Sequence, residues 1–211
     1  MEQGWFISLE GVDGSGKSTQ IQTTAAWLQE QGYAVVVTRE PGGTAAAEKI
    51  RKLVLDAALP LRPRAELLLY LAARAQHVAE VIKPALAAGK VVLCDRFADS
   101  TLVYQGLVRG QDPERIKALN VFASENLVPH LTLLLDADPA LLLERRRERG
   151  VTDRFEQEGL TFQQKIREGF LFLAAKESER IKTIDALQTP EQVQNTIRAL
   201  LKQAGVGAAA F

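Results

Sequence analysis

Short apolar runs recur along the chain, separated by longer stretches in which apolar positions return with helical spacing. The runs predict strands over 5–10, 34–38, 91–95, 131–136 and 181–184. The periodic stretches predict helices over 18–31, 45–55, 64–88, 113–126, 139–150, 162–179 and 190–203. Gly32 and Gly89 stand where helix C-caps belong. Pro113, Pro139 and Pro190 follow Asp112, Asp138 and Thr189, which reads as an N-cap and first-turn proline each time. Strands alternating with helices predict an α/β fold: a five-stranded parallel sheet covered by helices on both faces.

A chain of 211 residues without repeats or a linker suits one domain spanning 1–211. Lys+Arg and Asp+Glu both count 26, so no global field draws the chain to nucleic acid. Cys94 is the only cysteine; it lies in an apolar run and reads as a small buried hydrophobe rather than a reactive thiol. His77 and His130 lack the spacing of a zinc site. There is no signal-peptide pattern, and no apolar run nears the ~20 residues of a membrane span. The expectation is a soluble cytoplasmic protein.

One segment carries chemistry on its face. Glu10 to Thr19 reads E-G-V-D-G-S-G-K-S-T and fits the phosphate-binding loop G-x-x-x-x-G-K-[ST] at Gly11, Gly16, Lys17 and Ser18. The glycines let successive N–H groups turn inward as an anion nest, which Val12, Asp13, Gly14, Ser15 and Thr19 complete. Lys17 brings an ammonium to the β- and γ-phosphates, the Ser18 hydroxyl is a hard ligand for Mg²⁺, and the next helix adds its positive end. A strand enters this loop and a helix leaves it, so the segment reads as a nucleoside triphosphate site.

In such a sheet ligands gather beyond the C-terminal strand ends. Arg39-Glu40-Pro41-Gly42-Gly43-Thr44 follows the second strand, as a pocket wall or an ordinary loop with a surface ion pair. Asp95-Arg96 ends the third: the acid is placed to hold Mg²⁺ or its waters, and the arginine to grip a phosphate bidentately. Tyr70 and Arg74 are i, i+4 on one helix, so a ring that can stack on a base shares a face with a guanidinium that can reach its edge. Thr101, Tyr104 and Gln105 share another face after Asp99-Ser100. A basic cluster, Arg145-Arg146-Arg147 with Arg149 and Arg154, lies where Gly150 and Gly159 bracket a short segment, as hinges bracket a lid.

The chain resembles the bacterial thymidylate kinases from about Phe6 to about Glu158. The resemblance rests on F-I-S-L-E-G-V-D-G-S-G-K-S-T, T-R-E-P-G-G-T, A-E-L-L-L-Y-L-A-A-R, V-V-L-C-D-R-F, D-S-T-L-V-Y-Q-G and D-R-F-E-Q-E. It implies a P-loop nucleoside monophosphate kinase fold with a lid at about 146–159. The implied reaction transfers the γ-phosphoryl group of MgATP to dTMP, giving dTDP for dTTP biosynthesis. It also implies a homodimer.

By resemblance, Asp13 contacts the sugar 3′-hydroxyl or metal waters. Arg51 and Arg96 hold the dTMP phosphate, with Arg39, Glu40 and Pro41 lining that pocket. Tyr70, where bacterial members often carry Phe, stacks on thymine, and Arg74 reaches a thymine carbonyl. Ser100, Thr101, Tyr104 and Gln105 surround base and sugar, Tyr104 standing against the 2′ position. Gly14 occupies the place where some members carry a catalytic arginine. The missing cation is then expected from the lid, as Arg154 first and Arg149 second, beside Lys17 and Arg96.

Two other functions fit the phosphate loop. A deoxynucleoside kinase would take a hydroxyl acceptor and need a general base, for which Glu40 is available. A nucleotide-switch ATPase would need a water-positioning residue and a partner surface, and leaves Tyr70, Arg74 and the Thr101–Gln105 face without a use.

Overall fold

The computed structural model describes residues 4–142 and 158–206. Side chains alternate along the central strands, and each strand is apolar on both faces, so helices cover the sheet on both sides. Phe6, Val92 and Cys94 point to one side, against Val78, Ile82, Leu86 and Phe97. Ile7, Leu9, Leu93 and Leu133 point to the other, into the larger core with Ile21, Leu28, Ile166 and Ile197.

The elements are β1 (Trp5–Glu10), α1 (Lys17–Glu30), β2 (Val35–Arg39), α2 (Ala45–Leu55), α3 (Pro63–His77), α4 (Lys83–Ala87) and β3 (Val91–Asp95). They continue with α5 (Ala98–Thr101), α6 (Pro113–Ala123), β4 (Leu131–Asp136), α7 (Leu160–Lys176), β5 (Ile181–Asp185) and α8 (Pro190–Gln203). The five strands run parallel in the order β2-β3-β1-β4-β5. The chain leaves β1 for one side of the sheet and later crosses to the other, so β1 is the switch point where a crevice opens. Register levels the strand ends there: Leu9 and Arg39 both stand opposite Asp95.

Most elements follow the periodicity. The second strand begins one residue later than expected and takes in Arg39; the last ends at Asp185. Asp112 accepts from Glu114 N, and Thr189 forms a capping box with Gln192. The sixth helix stops at Ala123, where Glu125 and Asn126 turn left-handed. The expected helix over 162–179 spans Leu160–Lys176 instead. The helix expected from 139 starts there, and its remainder, with the lid up to residue 157 and with it Arg149 and Arg154, lies outside the described residues.

Two helices carry π-helical turns that periodicity did not show. The segment expected as one helix over 64–88 is α3, a π-helical stretch Val78–Ile82, and α4. Pro84 lacks an N–H and its ring crowds the preceding turn, so widening the helix just before it relieves the clash. A second π stretch, Leu102–Val108, continues α5 along the crevice.

Candidate active site

The phosphate loop joins β1 to α1 with positive φ at Gly11, Gly14 and Gly16. At Gly11 a Cβ would sit 2.4 Å from the Leu135 carbonyl, so only glycine fits. The cap of α1 is Gly16, without a side chain to bond the first N–H groups, which leaves the helix start open to an anion. The Lys17 ammonium is buried and donates to the Gly11 and Val12 carbonyls at 3.0 Å each. Burial and the nearby Arg96 bring its pKa down to about 8, against the opposing pull of Asp13, Asp95 and Glu10. Ser18 Oγ donates to Asp95 Oδ2 at 3.0 Å, bringing the two expected metal donors together.

Arg96, the first residue after β3, has φ 71, a left-handed conformation uncommon for a side chain of this size. Neighbours hold it there. Its N–H donates to Leu9 O at 3.0 Å, its carbonyl accepts the Cys94 thiol, and the next amide, Phe97 N, donates to Glu10 Oε1 at 2.7 Å. The guanidinium donates to Asp13 Oδ1 at 2.6 Å and Ser100 Oγ at 3.1 Å, and lies 5.3 Å from the centre of the Tyr104 ring. Burial disfavours its charge, but Tyr104, Asp13, Glu10 and Asp95 outweigh that and keep it cationic. Glu10 is wholly buried behind this turn, and Ser100 Oγ donates to its Oε2 at 2.6 Å. Burial, then Asp99, raise its pKa to about 7. Burial also pushes the Cys94 thiol up, as for an inert core residue.

A second buried network forms the far wall. Arg74 is 2% exposed; its Nε donates to Glu40 Oε2 at 2.8 Å, Nη1 to Asn120 Oδ1 at 2.5 Å and Nη2 to Thr101 Oγ1 at 3.0 Å. Its guanidinium also lies 5.0 Å from the centre of the Phe97 ring. Glu40 Oε1 meets His77 Nδ1 at 3.1 Å, and His77 Nε2 meets Thr38 Oγ1 at 2.6 Å. This chain of contacts fixes the Glu40 to Thr44 loop, where a Cβ on Gly43 would strike the His77 ring at 2.5 Å. Arg39 bonds Glu48, and Arg51 Nη1 donates to Pro41 O at 2.9 Å. Burial raises the Tyr104 phenol far above its ordinary range, so it stays neutral.

These groups surround one cavity of about 440 Å³. Its phosphate-loop side is Asp13, Gly14, Gly16, Lys17, Ser18 and Thr19, with Asp95 and Arg96 beside it. The opposite side is Arg39, Glu40, Pro41, Arg51, Tyr70 and Arg74, and the floor Ser100, Thr101, Tyr104 and Gln105. The phosphate-loop motif and the Arg39 to Arg74 wall thus share one cavity.

The model of the family described as thymidylate kinase matches residues 9–197. The thymidylate kinase of Syntrophotalea carbinolica is 52% identical over 200 residues, covering 92% of this chain and 93% of its own. That of Deinococcus radiodurans is 47% identical, covering 97% and 100%. The chain belongs to the thymidylate kinase family. The crystal structure of thymidylate kinase from Ehrlichia chaffeensis superposes with a TM-score of 0.77 at 35% identity, covering 94% of this chain and 99% of that one. The P-loop kinase fold expected from the resemblance is therefore the fold of the chain.

Within this family fold, every expected site residue that the structure describes lines the cavity except Gly11, Val12 and Ser15, which sit in the buried turn of the loop. Sequence reasoning did not single out two lining residues, Leu55 and Phe97. It also passed over the groups behind the wall: Glu10, Glu66, His77, Asn120 and Asp99, the last held by Arg180 at 2.8 and 2.9 Å. Their signal was a charged or polar residue at an inward position of an otherwise apolar strand or helix.

Proposed function

We propose that the chain transfers the γ-phosphoryl group of ATP to the 5′-phosphate of dTMP, giving dTDP and ADP on the way to dTTP. The observation that carries this reading is one cavity with an open helix N-terminus and Lys17 at one end and Arg39, Arg51, Tyr70 and Arg74 facing it, with Arg96 between. A phosphate acceptor is already anionic, so the transfer needs alignment of two mutually repelling anions and neutralisation of charge rather than a strong base. In this reading Lys17 and the loop amides hold the donor phosphates, while Arg96 and Arg51 hold the acceptor phosphate. Tyr70 stacks on thymine, Arg74, Thr101 and Gln105 read its edge, and Tyr104 excludes a 2′-hydroxyl. Arg154, with Arg149 second, supplies a cation from a lid at about 146–159 of a single domain.

Ser18 Oγ and Asp95 Oδ2 are hard oxygen donors 3.0 Å apart on the cavity wall, which fits Mg²⁺. When bound, Mg²⁺ neutralises phosphate charge.

The reading includes a homodimer and a cytoplasmic setting. Leu68 on α3 and Val121 and Phe122 on α6 are exposed, Phe122 by 84%, and α3 packs on α6; such an apolar surface supports association. No helix among the described residues is long and apolar enough to cross a membrane, and Cys94 is a free, buried thiol.

A coupled assay with MgATP and a panel of dTMP, thymidine, dUMP, dCMP and dGMP tests the reaction. dTMP should be preferred by a wide margin. Thymidine as the preferred acceptor would make the chain a nucleoside kinase, with Glu40 recast as a base.

A further inference from the structure

Glu66 sits one helical turn before Tyr70 and two before Arg74, on the same face of α3. It is 1% exposed, does not line the cavity, and stands directly behind a residue that does. Gln105 Nε2 donates to Glu66 Oε1 at 2.9 Å, and Gln105 is itself 2% exposed. Arg109 Nε lies 3.9 Å from the same carboxylate oxygen and supplies the nearby positive charge.

An amide can be turned over with almost no change of shape, exchanging a donor for an acceptor. A carboxylate removes that freedom. It only accepts, so the turned-over Gln105 would set its carbonyl oxygen against a carboxylate oxygen inside the protein. One Nε2 hydrogen is held by Glu66, so Oε1 is the acceptor Gln105 has for the cavity, and among the described residues no donor is set against it. Beside it, the Thr101 hydroxyl accepts from Arg74 Nη2, which leaves its own proton to donate. The wall therefore brings the Thr101 hydroxyl proton and the remaining Arg74 Nη1 hydrogen next to an acceptor from Gln105.

We infer that Glu66 is a specificity-positioning residue: it fixes the Gln105 amide as an acceptor toward the base chamber, and so sets which pyrimidine edge the site reads. This rests on the proposed phosphorylation of dTMP. Thymine offers an N–H at N3 beside a carbonyl at C4, which matches an acceptor beside donors. Cytosine offers a lone pair at N3 beside an amino group, and so meets like against like at both places. Leaving two buried polar groups unmatched is the kind of difference that separates substrates strongly, whereas shape alone separates these two bases weakly.

Glu66→Gln replaces the acceptor-only carboxylate with an amide that can donate to Gln105 Oε1, and so frees the flip. The experiment compares kcat/KM for dTMP and dCMP in wild type, Glu66→Gln, Glu66→Asp and Arg109→Gln. Wild type should prefer dTMP; if it does not, the functional reading fails, whatever Glu66 does. Glu66→Gln should lower the dTMP-to-dCMP ratio about tenfold or more, with Glu66→Asp and Arg109→Gln holding it. Added to Gln105→Leu, which has no amide to orient, Glu66→Gln should leave the ratio where Gln105→Leu puts it. Equal losses for both nucleotides, or the same ratio change on both backgrounds, would make Glu66 a structural residue only and overturn the inference. A second measurement needs no variant. In the ¹⁵N-labelled protein the Gln105 side-chain amide should exchange slowly with solvent, and fast exchange contradicts the lock.

Discussion

Asp13 Oδ1 accepts a hydrogen bond from Arg96 Nη2 at 2.6 Å, tying an acid of the phosphate loop to the arginine that follows β3. That bond links the phosphate-loop side of the cavity to the end of β3. Arg96 has φ 71 and is held by Ser100 as well, so its planar fork is set before any ligand arrives. Arg96→Lys keeps the charge and loses the fork. It should lower kcat/KM for dTMP about a hundredfold, equivalent to ~2.7 kcal/mol of transition-state stabilisation. Wild-type steady-state kinetics in this variant would remove Arg96 from the reaction.

Glu10 gives the protein a pH signature. Its carboxyl ionises near 4.5 in a free chain and near 7 when folded, because burial and then Asp99 oppose the charge. Between those values the folded state holds the extra proton, so raising pH favours unfolding. The stability this group supplies is full below about pH 4.5 and is lost as pH passes about 7. Glu10→Gln removes the dependence, apart from a constant offset for altered hydrogen bonds. Thermal melts at pH 5, 6, 7 and 8 should show the variant gaining on wild type as pH rises. A difference flat across that range would place the folded pKa elsewhere.

Arg74 is a structural residue as well as a proposed substrate contact. Its guanidinium neutralises Glu40 inside the protein and joins Asn120 to Thr101. Arg74→Ala should therefore cost about 3–5 kcal/mol of stability by leaving a buried carboxylate unpaired. Denaturant unfolding measures it directly. A loss below ~1 kcal/mol would show that the Glu40 charge is relieved some other way.

Arg154 is assigned from sequence alone, through its D-R-F-E-Q-E context and the uncharged Gly14 in the loop. Arg154→Ala should cut kcat by ten- to a thousandfold with a small change in KM for dTMP, as expected for a charge that acts on the transferring group. A raised KM at unchanged kcat would move the role to another cation, Arg149 first.

The fold was legible because its strands are apolar on both faces and its helices carry caps; the sheet, α2 and α8 could be read from spacing and from Thr189. The π-helical turns were not legible, since i→i+5 and i→i+4 bonding leave nearly the same apolar pattern over a short run, and only Pro84 hinted at one. Most residues facing the cavity were legible because ligand-binding groups fall at strand ends and at i, i+4 on helices; Arg51 came through the resemblance, and Leu55 and Phe97 did not stand out. The residues behind the wall were not legible. Glu10, Glu66 and Asn120 act through one other side chain each, and which one is decided by packing across 39 to 90 positions of sequence.

The level strand ends have a further consequence. Because Leu9, Arg39 and Asp95 lie across from one another, the sheet works, in the proposed reaction, as a ruler for the height at which two phosphate groups meet. The groups proposed to read a base hang from α3 and from the helix beyond Asp95, off to the side of that ruler. A lineage can therefore retune which nucleotide is admitted by editing a few helical positions, while the strand register beneath the two phosphate sites stays as it is.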